Sequence, residues 1–107
     1  WSQDGATVRS RVAVSVAYGE NPEEVKNALL EVAEESNYVL QHPKPDVLFK
    51  EFGDSSLNFE LRVWTRSHIS KPGILKSDLN YAIAKKFETV GIEVPYPQRD
   101  IYIKEMP

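Results

Sequence analysis

The sequence predicts an α+β domain of the ferredoxin-like kind, a four-stranded antiparallel sheet with two helices on one face in the order βαββαβ. Three observations carry that prediction. Residues 8–18 and 57–64 alternate apolar and polar side chains with period two, the mark of strands with one buried face. Two stretches, one after each of these strands, repeat apolar residues at three and four positions, as amphipathic helices do. Between the second and third strands stands Gly53-Asp54-Ser55-Ser56, a hairpin turn signal.

In chain order, Val8, Val12, Val14 and Val16 share one parity of the first strand, and Arg9, Arg11, Ala13, Ser15 and Ala17 the other. Gly19-Glu20-Asn21-Pro22 ends it. Asn21 suits a helix cap and Pro22 the first helical position. Glu23 and Glu24 then fall in the first turn, where the helix dipole favours negative charge. Val25, Ala28, Leu29, Val32 and Ala33 form one apolar face of a helix from about Pro22 to Ser36. A loop with Asn37, Pro43 and Pro45 leads to a second strand over 47–52, where parity breaks and a bulge or an edge strand is expected. The third strand, 57–64, turns Leu57, Phe59, Leu61 and Val63 inward. It turns Asn58, Glu60, Arg62 and Trp64 outward. The second helix, Ile74 to Val90, has the apolar face Leu75, Leu79, Ala82, Ile83, Phe87 and Val90, and Gly91 is its left-handed stop. Val94-Pro95-Tyr96-Pro97 is extended, and a last strand spans about Asp100 to Lys104 with Ile101 and Ile103 inward. The first and third strands are then the central pair.

The chain has 107 residues, enough for one domain with its own core. It has no cysteine, which excludes a disulfide framework and a thiolate zinc site. With 13 basic and 16 acidic residues, its net charge of -3 argues against nucleic acid or an acidic membrane surface as the main partner. No apolar run reaches the length of a membrane span, and the opening WSQDGATVRS is not a signal peptide. A chain starting at Trp1 reads as a fragment of a longer protein.

No catalytic, cofactor or metal site is expected. Asp46, Glu51, Asp54 and Glu60 cluster around the hairpin, but turn chemistry and a solvent-facing parity account for them better than acid–base work. His42 and His68 sit in loops without metal-ligand spacing. The turn before the first helix carries Glu20, Glu23 and Glu24 and lacks an amide at Pro22, so it repels phosphate. A base-stacking platform needs aromatics on the open sheet face, and only Trp64 is there. Trp64 is either covered by another layer or a partner, or lies at a strand end that curls under the following loop.

Two runs resemble a known family. EFGDSSLNFELRVW (Glu51 to Trp64) and GIEVPYPQRDIYI (Gly91 to Ile103) look like signatures of the C-terminal domain of MscS-type mechanosensitive channels. The opening VRSRVAVSVAYGENPEEVKNALLEV is similar to that domain's first strand and helix. The resemblance implies a homo-oligomeric, usually seven-fold, channel whose pore helices open under membrane tension. A β domain would precede, with residues 1–7 as the linker from it, and residues 8–105 would form the α+β domain. Copies would build a cytoplasmic chamber at the inner membrane that filters solutes and modulates gating, with no cofactor. Membrane contact would fall only on segments absent from this chain. By the same resemblance Gly53, Ser55, Ser56 and Asn58 set the hairpin, Pro95, Pro97 and Gln98 fix the approach to the last strand, and Trp64 lies at or near a subunit contact. Two alternatives remain: a small-molecule-binding regulatory domain of the same fold, which would need a polar or glycine-rich ligand loop, and an acylphosphatase-like enzyme, against which the acidic turn speaks.

Overall fold

A computed structural model describes residues 6–66 and 71–95. The elements are β1 (Thr7–Ala17), α1 (Pro22–Glu35), β2 (Asp46–Phe52), β3 (Ser56–Arg66) and α2 (Pro72–Val90). Among the described residues the sheet has three strands, ordered β1-β3-β2, with both pairs antiparallel. β3 is therefore central, and β1 is an edge of what is described. The expected fourth strand, Asp100 to Lys104, lies outside the described residues.

The period-two pattern becomes register. Val12, Val14 and Val16 sit opposite Leu61, Phe59 and Leu57, and all six side chains are buried. β3 continues two residues beyond its expected end, to Arg66, because Thr7 and Val8 still pair with Arg66 and Thr65. On β2 the register shifts between Phe49, opposite Phe59, and Glu51, opposite Asn58. Lys50 is the extra residue of this bulge, which was legible in the broken parity.

α1 starts where its cap chemistry says. Asn21 Oδ1 accepts from the Glu23 N–H at 2.8 Å and the Glu24 N–H at 3.3 Å, satisfying two amides that the helix cannot. Val25, Ala28, Leu29, Val32 and Ala33 are all buried, as expected. α2 packs over β1 and beside α1, whereas α1 covers β2 and β3. Lys86 on α2 ties the helices together by reaching Glu31 Oε1 (3.0 Å) and Glu35 Oε2 (3.3 Å) on α1.

The apolar face of α2 is narrower than expected. Leu75, Leu79, Ile83 and Phe87 are buried, one row at spacing four, but Ala82 and Val90 are exposed. Ala82 is too small to fill the space towards α1, where it lines a shallow depression with Val32, Glu35 and Asp78. Val90 is displaced from the core by the chain reversal. Gly91 takes φ 82°, the left-handed region that favours glycine, and the Gly91 and Ile92 amides both donate to the Phe87 carbonyl. That reversal buries Ile92 in place of Val90. The chain then returns to β1, where the Ala17 N–H donates to the Glu93 carbonyl at 2.9 Å.

The core lies between the helix layer and the inner sheet face, with Leu29, Leu61, Leu75 and Leu79 among its largest fully buried side chains. Burying each contributes about 1.5–3 kcal/mol. Among the described residues the opposite sheet face has no helix on it, and it carries the polar clusters.

Candidate functional site

The β2–β3 hairpin is closed by the Gly53 N–H donating to the Ser56 carbonyl at 2.7 Å. Behind the turn is a knot of side chains. Asn58 Oδ1 accepts from Ser56 Oγ (2.9 Å) and from Ser15 Oγ (2.8 Å) on β1. Asn58 Nδ2 donates to Glu51 Oε2 on β2 at 3.2 Å. One amide side chain thus links all three strands. Tyr18, just beyond β1, donates its hydroxyl to the Gly53 carbonyl at 2.7 Å. Gly53 is needed here for space. A Cβ on it would stand 2.8 Å from Ser56 Oγ, closer than real Cβ contacts come, and 3.0 Å from Asn58 Nδ2, tighter than most.

Farther along the open face, Arg62 donates from Nε (2.7 Å) and Nη2 to the two oxygens of Asp46, a bidentate pair across β3 and β2. The hydrogen bond from Arg62 holds the Asp46 carboxyl below the usual carboxylate range, with Arg62 and Arg9 charges acting the same way against partial burial. Lys50, turned out by the bulge, lies 3.5 Å from Glu60. On α2, the hydrogen bond to Glu31 raises the pKa of Lys86, and Glu35 adds to it against desolvation.

Of the residues singled out in the sequence, Gly53, Ser56 and Asn58 meet in the knot, and Ser55 is half-buried in its turn. Trp64 is not part of it. It stands six residues up β3 from Asn58, about 20 Å at strand rise, half-buried on the open face opposite Arg9. The Trp64 carbonyl accepts from the Leu40 N–H at 2.8 Å, and Thr65 Oγ1 donates to the Tyr38 carbonyl at 2.6 Å, so the α1–β2 loop is fastened beside this end of β3. Trp64 is not at a strand end, since β3 runs on to Arg66. Pro95 is half-buried, and Pro97, Gln98 and His68 lie outside the described residues. Sequence reasoning named Ser15 and Glu51 but did not bring them, or Tyr18, into the knot. Ser15 was reachable in principle, because pairing the two long strands sets it opposite Asn58.

The four acidic residues of the hairpin region do not converge. Asp46 is held by Arg62, Glu51 by Asn58 and Glu60 by Lys50, while Asp54 is an exposed turn residue. Among the described residues no group of His, Asp or Glu has the makings of a metal site. No helix of the described residues is long and apolar enough to cross a membrane. Hydrogen bonds of this kind hold a hairpin and a sheet face in one geometry. The class so defined is a small α+β module whose polar clusters serve its shape.

Comparison with known proteins places the module. Residues 11–94 match the family described as "Mechanosensitive ion channel MscS, C-terminal". The chain belongs to the MscS family of mechanosensitive channel proteins, and it corresponds to their C-terminal domain. It is 34% identical over 95 residues to an uncharacterized MscS family protein of Synechocystis, covering 89% of this chain and 31% of that protein. It is 41% identical over 66 residues to the mechanosensitive channel MscK of Escherichia coli, covering 62% of this chain and 6% of MscK. The solved closed-state structure of Helicobacter pylori MscS superimposes with a TM-score of 0.79 at 26% identity, over 85% of this chain and 36% of that one. The chain therefore spans about a third or less of the length of these relatives.

Proposed function

We propose that this chain is a construction element of a mechanosensitive channel. Copies of the domain, seven in the usual arrangement of the family, would stand around the channel axis at the cytoplasmic face of the inner membrane and form a chamber. The chamber would filter solutes and bias tension gating. The observation that carries this reading is the match of residues 11–94 to the family's C-terminal domain, joined to a fold of the same shape. The polar clusters support it, since they stiffen the domain and leave no converging reactive groups among the described residues. Residues 1–7 act as the linker from a preceding β domain, and residues 8–105 as the assembling unit. Gly53, Ser55, Ser56 and Asn58 hold the hairpin, Pro95, Pro97 and Gln98 direct the chain into a last strand, and Trp64 meets a neighbouring subunit. The domain biases opening only through contacts that differ between closed and open channels.

The test is Trp64→Ala in the full-length protein, read by native mass and by patch-clamp tension threshold. Loss of oligomer or a shifted threshold is expected. An unchanged mass together with an unchanged threshold refutes the role of Trp64, and absence of any tension-activated current in the unmodified protein refutes the channel reading itself.

A further inference from the structure

Residues 36–45 join α1 to β2, and several hydrogen bonds hold this polar loop in one shape. The Tyr38 N–H donates to Ser36 Oγ at 3.2 Å. The Tyr38 carbonyl accepts from buried Thr65, and the Leu40 N–H donates to the Trp64 carbonyl. Asp46, directly after the loop, is gripped by two nitrogens of Arg62. The chain is thus pinned to β3 at Tyr38, Leu40 and Asp46. Between the last two pins, Pro43 and Pro45 each fix a backbone φ.

Between this loop and the last turn of α1 lies an open cleft of about 580 Å³. Small-molecule sites run from about 300 to 1,000 Å³. The apolar lining is buried Ala33 with half-buried Val39, Leu40 and Pro45. The polar lining is Glu34 from the helix, with Asn37, Gln41, His42 and Lys44 from its end and the loop. These five side chains are exposed, and none of them bonds or pairs with another described residue. The acidic groups of the open sheet face differ in this respect, since Asp46, Glu51 and Glu60 are each taken by a partner.

The cleft carries both signs of charge. α1 ends at one wall and has no basic residue in its last turn, so nothing within the helix offsets the negative end of its dipole. Glu34 adds a full negative charge there, and a cation is favoured at this wall. Lys44, on the loop, favours an anion. The amides of Asn37 and Gln41 and the His42 ring can donate or accept further hydrogen bonds. Apolar side chains between these groups suit a hydrocarbon part.

We propose that this cleft binds a free apolar amino acid as its zwitterion. The ammonium group sits at Glu34 and the end of α1, the carboxylate at Lys44, and the side chain on Ala33, Val39, Leu40 and Pro45. Because the loop is already pinned, little ordering is needed on binding. The site goes beyond the structural role proposed above and does not depend on it. It supplies the polar ligand loop that a regulatory domain of this fold requires.

Isothermal titration calorimetry of the full-length protein tests the site, with leucine and proline as probes. Saturable binding of at least one is expected. Its N-acetylated form, which lacks the cation, and its carboxamide, which lacks the carboxylate, should each bind at least about tenfold more weakly, the effect of losing one charge-assisted hydrogen bond. Glu34→Gln and Lys44→Gln should weaken the amino acid to a similar degree. Both positions are exposed, so the far-UV circular dichroism should stay that of the unmodified protein. Lys76→Gln, on α2 and outside the cleft, should leave binding unchanged. No saturable heat from either amino acid in the millimolar range would overturn the site. Blocked forms binding as tightly as the free amino acid would overturn the zwitterion assignment, and binding indifferent to both cleft variants would overturn the choice of cleft. Each of these failures leaves the channel reading as it stands.

Discussion

Replacing Gly53 by alanine tests whether the hairpin knot is a matter of space. Gly53 has no positive φ, so the backbone tolerates a side chain there. Lower flexibility of the unfolded chain would even favour alanine by about 0.4–1 kcal/mol. The opposing effect is steric. The new methyl would stand 2.8 Å from Ser56 Oγ, 3.0 Å from Asn58 Nδ2 and 3.2 Å from the Ser56 carbonyl oxygen. Two of these atoms belong to side chains held by the knot, so relief means breaking the Ser56–Asn58 bond, the Asn58–Glu51 bond or both. Each such bond contributes about 0.5–1.5 kcal/mol net, and overpacking adds strain of about 1–3 kcal/mol where the neighbours cannot yield. After the entropic gain, a net destabilisation of about 1–2 kcal/mol is expected, a fall in Tm of roughly 5–10 °C for a domain of this size. Urea and thermal unfolding of the chain measure it. A double-mutant cycle with Ser56→Ala, which removes the nearest atom, should show the two changes costing less together than their sum. Equal or higher stability of Gly53→Ala, or strict additivity with Ser56→Ala, would refute the steric account.

Three further changes follow from the same geometry. Asn21→Ala removes the acceptor for two first-turn amides and should cost about 1 kcal/mol, read as a lower urea midpoint with unchanged slope. Gly91→Ala meets no atom within 4 Å, so its expected cost of about 1–2 kcal/mol is purely that of an L-residue at φ 82°, and Gly91→Asn should recover part of it. The folded-state pKa of Asp46 is depressed by Arg62, so this pair stabilises above the unfolded carboxylate pKa and its contribution fades as pH falls through the lowered folded value. Because Asp46 is 44% exposed, solvent screening keeps the effect below about 1 kcal/mol, and the stability gap between wild type and Asp46→Asn should narrow on acidification.

How far the sequence could be read depended on the range of the interactions concerned. β1, α1 and β3 were legible because their periodicity is local and each has one buried face. The β2 bulge was legible from its broken parity alone, and Gly91 from the left-handed conformation that few other residues accept. Tertiary contacts decided the rest. Ile92 enters the core only because the chain reverses at Gly91, and Val90 loses its place for the same reason. The motif residues Gly53, Ser56 and Asn58 could be named as turn-formers, but the knot also needs Ser15 from another strand and Tyr18 from beyond it, partners 43 and 35 residues away. Trp64 was rightly set on the outward face, while the fastening of the α1–β2 loop to its carbonyl leaves no trace in a one-dimensional pattern.

The extra residue in β2 also decides which chemistry a passing molecule would meet. Phe49 and Phe52 are three apart, so a regular strand would aim them at opposite faces; with Lys50 out of step, they stand over Phe59 and Leu57 on the same side, and Lys50 itself meets Glu60 on the other. Excising that one lysine codon would leave Phe49 and Phe52 two apart in an unbroken strand, still over Phe59 and Leu57, and would remove only the kink and the ion pair with Glu60. The insertion thus hangs a positive charge on the far side of the sheet without moving either ring, and a homologue one residue shorter at this point keeps the same aromatic edge.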